Sequence, residues 1–163
     1  MNFSHPIRVY WEDTDAGGIV FYANYLKFME RARTEWLRAL GIEQQRLREE
    51  SGGMFVVSQT HLKYHRPARL DDQLLVTAEL QDAGSASLII NQRVLLADAA
   101  GNQDGSAPAS SAARALLCEG SIRIGWVQAV TLRPARIPAR VAQALAHSIP
   151  GTHPDPGHSS VKP

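Results

Sequence analysis

Cysteine is almost missing from this chain: Cys118 is the only one in 163 residues. An intrachain disulfide is therefore excluded, as is any CxxC metal or redox motif. Within LLCEGSI the lone thiol reads as a small buried apolar residue. An excess of one charge sign is lacking too. The formal net charge is +1, whereas a general nucleic-acid binder carries a concentrated basic excess, so no nucleic-acid partner is expected. No uninterrupted apolar run reaches the length of about 18 residues that a membrane-spanning helix needs. The opening MNFSHPIRVYWEDTD has no apolar segment followed by a small-residue cleavage site. These absences predict a soluble, cytoplasmic protein without a transmembrane segment, and they leave peripheral association with a membrane surface open.

What is present suffices for one core, since 44% of the residues are hydrophobic. Residues 7–11 are short and β-prone, which predicts a first strand. Tyr25, Phe28, Met29, Ala32, Trp36 and Leu40 then recur at spacings of three and four, with Lys27, Arg31, Glu35 and Arg38 between them. That period predicts one long amphipathic helix, with Asn24 as its N-cap and Gly41 just past its end. A shorter helix is expected over residues 43–50, stopped by Ser51-Gly52-Gly53. Four strands follow from β-branched and aromatic texture, over residues 55–64, 73–81, 87–96 and 115–127. Pro67 ends the first of these because it lacks a ladder donor. The run DAAGNQDGSAPASSAA reads as a flexible hairpin insertion over residues 97–113. Residues 138–147 read as a last short helix, and residues 148–163, rich in Pro, Gly and Ser, as a disordered tail. Trp11, Trp36 and Trp126 are assigned to the core or to a subunit contact.

This order predicts an α+β fold in one domain over residues 1–147, with an antiparallel sheet wrapped around one long central helix. Such a sheet leaves an edge strand open, so edge-to-edge pairing of two subunits is expected.

The segment DTDAGG, residues 13–18, admits three readings. It can be a solvated turn in which Asp side chains accept local backbone N–H groups and glycines take positive φ. A calcium loop would need further oxygen ligands, and the hydrophobic Ile19-Val20-Phe21 follows instead. In the third reading a carboxylate is held against the start of a helix. Free N–H groups there carry partial positive charge and can polarise a carbonyl oxygen, so nucleophile or base and carbonyl activator share one corner. Acyl transfer to water needs that combination.

The run YWEDTDAGGIVFYANYLKFMERAR, from Tyr10 to Arg33, resembles the signature of the 4-hydroxybenzoyl-CoA thioesterase family of the hotdog fold, in particular its Tol-Pal-associated bacterial branch. The stretch FVVSQTHLKYHRPARLDDQL is similar to the second and third strands of the same proteins. The resemblance implies an acyl-CoA thioesterase that releases a free acid and coenzyme A without a cofactor or metal. It places the catalytic aspartate at Asp15 and the oxyanion-binding backbone N–H at Tyr22, where many members of the branch carry His. It also implies a homodimer or tetramer with active sites at the subunit boundary. The carrier of the acyl group is coenzyme A or an acyl carrier protein. In this reading Gly17 and Gly18 let the backbone turn beside the substrate, and Ile19, Val20 and Phe21 wall the acyl pocket. A non-catalytic acyl-carrier-protein or Tol-Pal envelope-complex adaptor on the same fold is the alternative, and Asp15 speaks against it.

Lys63, Arg66 and Arg69 form the densest basic stretch and suit the phosphates of coenzyme A, though an ordinary basic turn around Pro67 fits them as well. Glu30 is a second carboxylate candidate, set beside Arg31 and Arg33 as in a helix ion-pair face. His61 and His65 read as lying four apart on one strand face with Lys63 between them; zinc would want a third ligand and closer geometry, so a solvated or phosphate-facing strand is the expectation.

Overall fold

The computed structural model describes residues 3–97 and 114–148. Beyond their first positions, the expected insertion and tail lie outside the described residues. The strands are β1 (Phe3–Arg8), β2 (Gly53–Tyr64), β3 (Gln73–Ala83), β4 (Ser87–Leu96) and β5 (Leu116–Gln128). They form one antiparallel sheet in the order β1-β3-β4-β5-β2. The helices are α1 (Asn24–Ala39) and α2 (Gln44–Ser51), before β2, and α3 (Ala139–Ala146), after β5.

Helix α1 follows its sequence period. Tyr25, Phe28, Met29, Ala32, Trp36 and Leu37 are buried and pack on β1, β3 and β4. Its end is chemically fixed: Gly41 takes φ 79°, Ile42 N–H donates to the Leu37 carbonyl and Gly41 N–H to that of Arg38, both at 2.9 Å. This is the Schellman arrangement, with glycine at the left-handed position that a side chain would strain. The other end departs from expectation. Ala23, not Asn24, occupies the cap position, because the Asn24 amide is turned inward to donate to the Asp13 carbonyl at 2.9 Å.

The first strand also departs. It pairs with β3 from Phe3 opposite Ala78 to Arg8 opposite Gln73 and stops before the expected residues 9–11. Tyr10 N–H leaves the ladder for the Asp13 carboxylate at 2.8 Å, and Trp11–Asp13 wind into a 3-10 turn. Trp11 is consequently 81% exposed, whereas Trp36 and Trp126 are core residues.

On the sheet, alternation puts Leu74, Val76, Ala78 and Leu80 of β3, Leu88, Ile90 and Val94 of β4, and Cys118, Ile122 and Ile124 of β5 into the core. One inward position is polar. Gln92 donates to the carbonyls of Met29 at 3.0 Å and Thr77 at 3.1 Å and accepts from the buried Arg33 guanidinium at 2.8 Å. Among the described residues no strand pairs with the outer edge of β1 or β2, and β2, largely exposed along its length, is the longer.

Candidate active site

The acidic turn is a small hairpin built by its own backbone. Thr14 pairs with Val20, Asp15 N–H donates to the Ile19 carbonyl at 2.9 Å, and Gly18 N–H to the Asp15 carbonyl at 3.0 Å. Gly18 takes φ 74° to close it. The two acids of the turn have separate surroundings. Asp13 is buried, and its carbonyl accepts from Phe21 N–H and the Asn24 amide while its carboxylate accepts from Tyr10 N–H. Asp13 therefore ties the end of β1 to the entrance of α1.

Asp15 is exposed. Its Oδ1 accepts from Gly17 N–H at 2.8 Å, an Asx turn, and among the described residues no donor engages Oδ2. A side chain on Gly17 would come within 3.1 Å of Oδ1, so the bare glycine makes room for the carboxylate.

The hairpin is zipped to the loop between β2 and β3. Val20 N–H donates to the Ala68 carbonyl at 2.9 Å, and Ile19 pairs with Arg69. The Asp72 carboxylate accepts from Arg69 N–H at 2.8 Å and holds the basic turn. At the seam lies an open hollow of about 240 Å³ lined by Ile19, Val20, Tyr22, Tyr64, Arg66 and their neighbours. Tyr64 fixes the helix entrance by donating to the Tyr22 carbonyl at 2.9 Å, and the Tyr25 hydroxyl accepts from Ala68 N–H at 3.0 Å. Burial pushes both phenols upward in pKa. They stay neutral at ordinary pH. Among the described residues no acceptor engages the amide N–H of Tyr22 or Ala23, so the entrance of α1 presents donors beside the hollow.

The expected residues are partly gathered. Val20, Tyr22 and Arg66 line the hollow, with Arg69 on the strip paired to Ile19. Phe21 does not line it and instead packs on Tyr22 with ring centroids 4.7 Å apart. Lys63 faces elsewhere, into a separate hollow on the sheet with His61, Arg93 and Glu119. Alternation along β2 and its end at Tyr64 separate it from Arg66. His61 and His65 are likewise divided between the two hollows, and His65 meets Glu119 at 2.9 Å. Glu30 accepts from Thr34 at 2.8 Å and stands 3.8 Å from Arg33.

Tyr25 and Tyr64 were not singled out by the sequence as site residues. Tyr25 carries the helix period and so reads as core, and the end of a strand gives no linear sign of which loop it will face.

The family model of the Thioesterase-like superfamily matches residues 9–145. The acyl-CoA thioesterase YbgC of Haemophilus influenzae is 37% identical over 145 residues, covering 89% of this chain and 95% of its own. A probable thioesterase from Bartonella henselae superposes with TM-score 0.70 at 26% identity, over 85% of this chain and all of its own. A 1,4-dihydroxy-2-naphthoyl-CoA thioesterase from Synechocystis, at 18% identity, superposes with TM-score 0.73 over 90% of this chain and 96% of its own. The superposition on these solved thioesterase structures, with the five-stranded antiparallel sheet and its helices, makes this an α+β hotdog fold.

Proposed function

The chain belongs to the Thioesterase-like superfamily, and from that premise we infer that it is an enzyme that hydrolyses acyl-CoA thioesters to a free acid and coenzyme A. The carrying observation is 37% identity, across nearly the whole length of both chains, to a protein named for this activity. The run from Tyr10 to Arg33 supports placement in the Tol-Pal-associated branch, and the packing of α1 on three strands supports its role as the central helix of the fold.

Asp15 supplies the reacting carboxylate. Held by Gly17 N–H through Oδ1, it presents Oδ2 to the thioester carbonyl carbon, or to a water that attacks it. The carbonyl oxygen, gaining negative charge, is met by Tyr22 N–H at the α1 entrance. Collapse of the tetrahedral centre expels the coenzyme A thiolate. On the water route the proton taken by Asp15 passes to that thiolate or to solvent; on the direct route water then hydrolyses the acyl–Asp15 anhydride to the free acid and the Asp15 carboxylate. Ile19 and Val20 wall the acyl group, with Phe21 at the outer side of Tyr22 and Gly17 and Gly18 shaping the turn. Arg66 and Arg69 meet phosphates of coenzyme A, and Lys63, facing the other hollow, contributes least of the three. The open edges of the sheet support a homodimer or tetramer.

A panel of aliphatic and aromatic acyl-CoA esters, followed by release of free thiol, tests the activity. Turnover of at least one ester is expected. A non-catalytic adaptor would bind without releasing thiol from any of them.

A further inference from the structure

From Gly120 to Pro154 the sequence holds no Asp or Glu, while Arg123, Arg133, Arg136 and Arg140 fall within it. The middle of this stretch is a tight reversal after β5. Gln128 N–H donates to the Arg133 carbonyl at 2.9 Å, Leu132 N–H to the Gln128 carbonyl at 2.8 Å, and Val127 pairs with Pro134. Ala129 N–H anchors the reversal to Gly52 at 2.9 Å, and Thr131 bonds the Gln128 side chain at 2.9 Å. The tip is therefore braced from several sides.

Its residues are the wrong ones for a mere turn. Val130 is 95% exposed and Leu132 60%. Leu132 also takes φ 58°, a left-handed conformation that strains a bulky side chain. Neither burial nor backbone preference accounts for two aliphatic residues here, and such local conflict is expected where a surface has a task. Behind the tip, Arg133 and Arg136 are exposed and have no carboxylate partner among the described residues, whereas Arg140 is paired with Glu50 at 2.6 Å.

The geometry points to residues 129–132 as a docking tip for an anionic lipid bilayer, with Val130 and Leu132 entering the headgroup boundary and Arg133 and Arg136 meeting lipid phosphates. Exposed aliphatic groups beside unpaired cations match that surface in both polarity and charge. A second copy of the chain fits worse, because a two-fold contact at the tip would set these arginines against their own images. The site also lies away from the candidate active site. Gly53 pairs with Gln128 at this end of the sheet and Tyr64 with Cys118 at the other, a span of roughly 35 Å at strand rise. Docking there leaves the hollow at Tyr22 and Tyr64 open to soluble substrate, and the inference does not depend on the role given to Asp15.

Co-sedimentation of the full chain with phosphatidylcholine–phosphatidylglycerol vesicles, against phosphatidylcholine alone, tests this. Binding is expected only to the anionic vesicles and should weaken as salt is raised. Val130→Ser and Leu132→Asn should each lower the partition about tenfold, the scale of one aliphatic side chain leaving an apolar environment. Asn tolerates the left-handed backbone, so Leu132→Asn should melt no lower than the wild type. Arg133→Gln with Arg136→Gln should remove the lipid-charge preference, and turnover of soluble acyl-CoA should be unchanged in all variants. The inference is overturned if the wild type ignores anionic vesicles or if the variants bind them equally well. It is equally overturned if the variants lower only the mass in light scattering, which would make the tip a subunit contact.

Discussion

Asp13 and Asp15 look equivalent in the string DTDAGG, yet one is buried and the other exposed. The turn was legible from its composition, and the sign of positive φ at Gly18 followed from glycine chemistry. The burial of Asp13 was not, because it depends on where β1 ends and on the Asn24 amide reaching back across 11 residues. Asp13→Ala leaves Tyr10 N–H without its acceptor while the backbone carbonyl still serves Phe21 and Asn24, so urea unfolding should register a loss of about 1–3 kcal/mol. Gly18→Ala should cost about 1 kcal/mol in the same assay, for strain at positive φ. Cys118 gives a pH dependence. Burial raises its thiol from 9.0 to about 11, so the folded chain holds this proton more tightly than the unfolded one. The associated stability is complete below pH 9.0 and is lost as pH rises through about 11. Thermal melts of Cys118→Ala should show a shallower decline over that window than the wild type.

At the scale of elements, period located α1, whose buried face it records, and β-branched and aromatic texture between turn-formers located the four later strands. The bounds of β1 escaped because its residues pair according to what β3 offers, and because the Asp13 carboxylate takes Tyr10 N–H from the ladder. The joint between α1 and β4 was equally hidden. Gln92 is a polar residue at an inward strand position, and only the fold brings it to Arg33 and the Met29 carbonyl. Burial lowers the pKa of Arg33, with Glu30 opposing weakly from the rim. Gln92→Ala should therefore destabilise by about 3 kcal/mol in denaturant titration, since a buried cation and two carbonyls lose a partner together. The basic loop gives a kinetic test. Arg66→Ala should raise KM for acyl-CoA with little change in kcat, because phosphate contacts serve ground and transition states alike. Lys63→Ala, in the other hollow, should change KM less. The linear grouping of Lys63 with Arg66 concealed this division, which strand alternation creates.

For the whole molecule, the open edges of β1 and β2 require cover, and light scattering is expected to give at least twice the chain mass of 17.9 kDa. A monomer at micromolar concentration would contradict that assembly. The fold was readable because strand and helix order, core period and the motif from Tyr10 to Arg33 agreed with one another. The hollow was readable only in part, since it forms where residues 19–25 meet residues 64–67 and neither segment contains the other's signal. The central claim is that Asp15 supplies the charge that attacks, or activates water to attack, an acyl-CoA thioester at the α1 entrance. Asp15→Asn keeps an oxygen to accept from Gly17 N–H and removes that charge, so shape and chemistry are separated by one substitution. Steady-state thiol release by purified Asp15→Asn against the preferred acyl-CoA is predicted to show kcat reduced about 10²-fold or more, with an unchanged melting temperature. An Asp15→Asn protein that retains wild-type kcat would contradict the account.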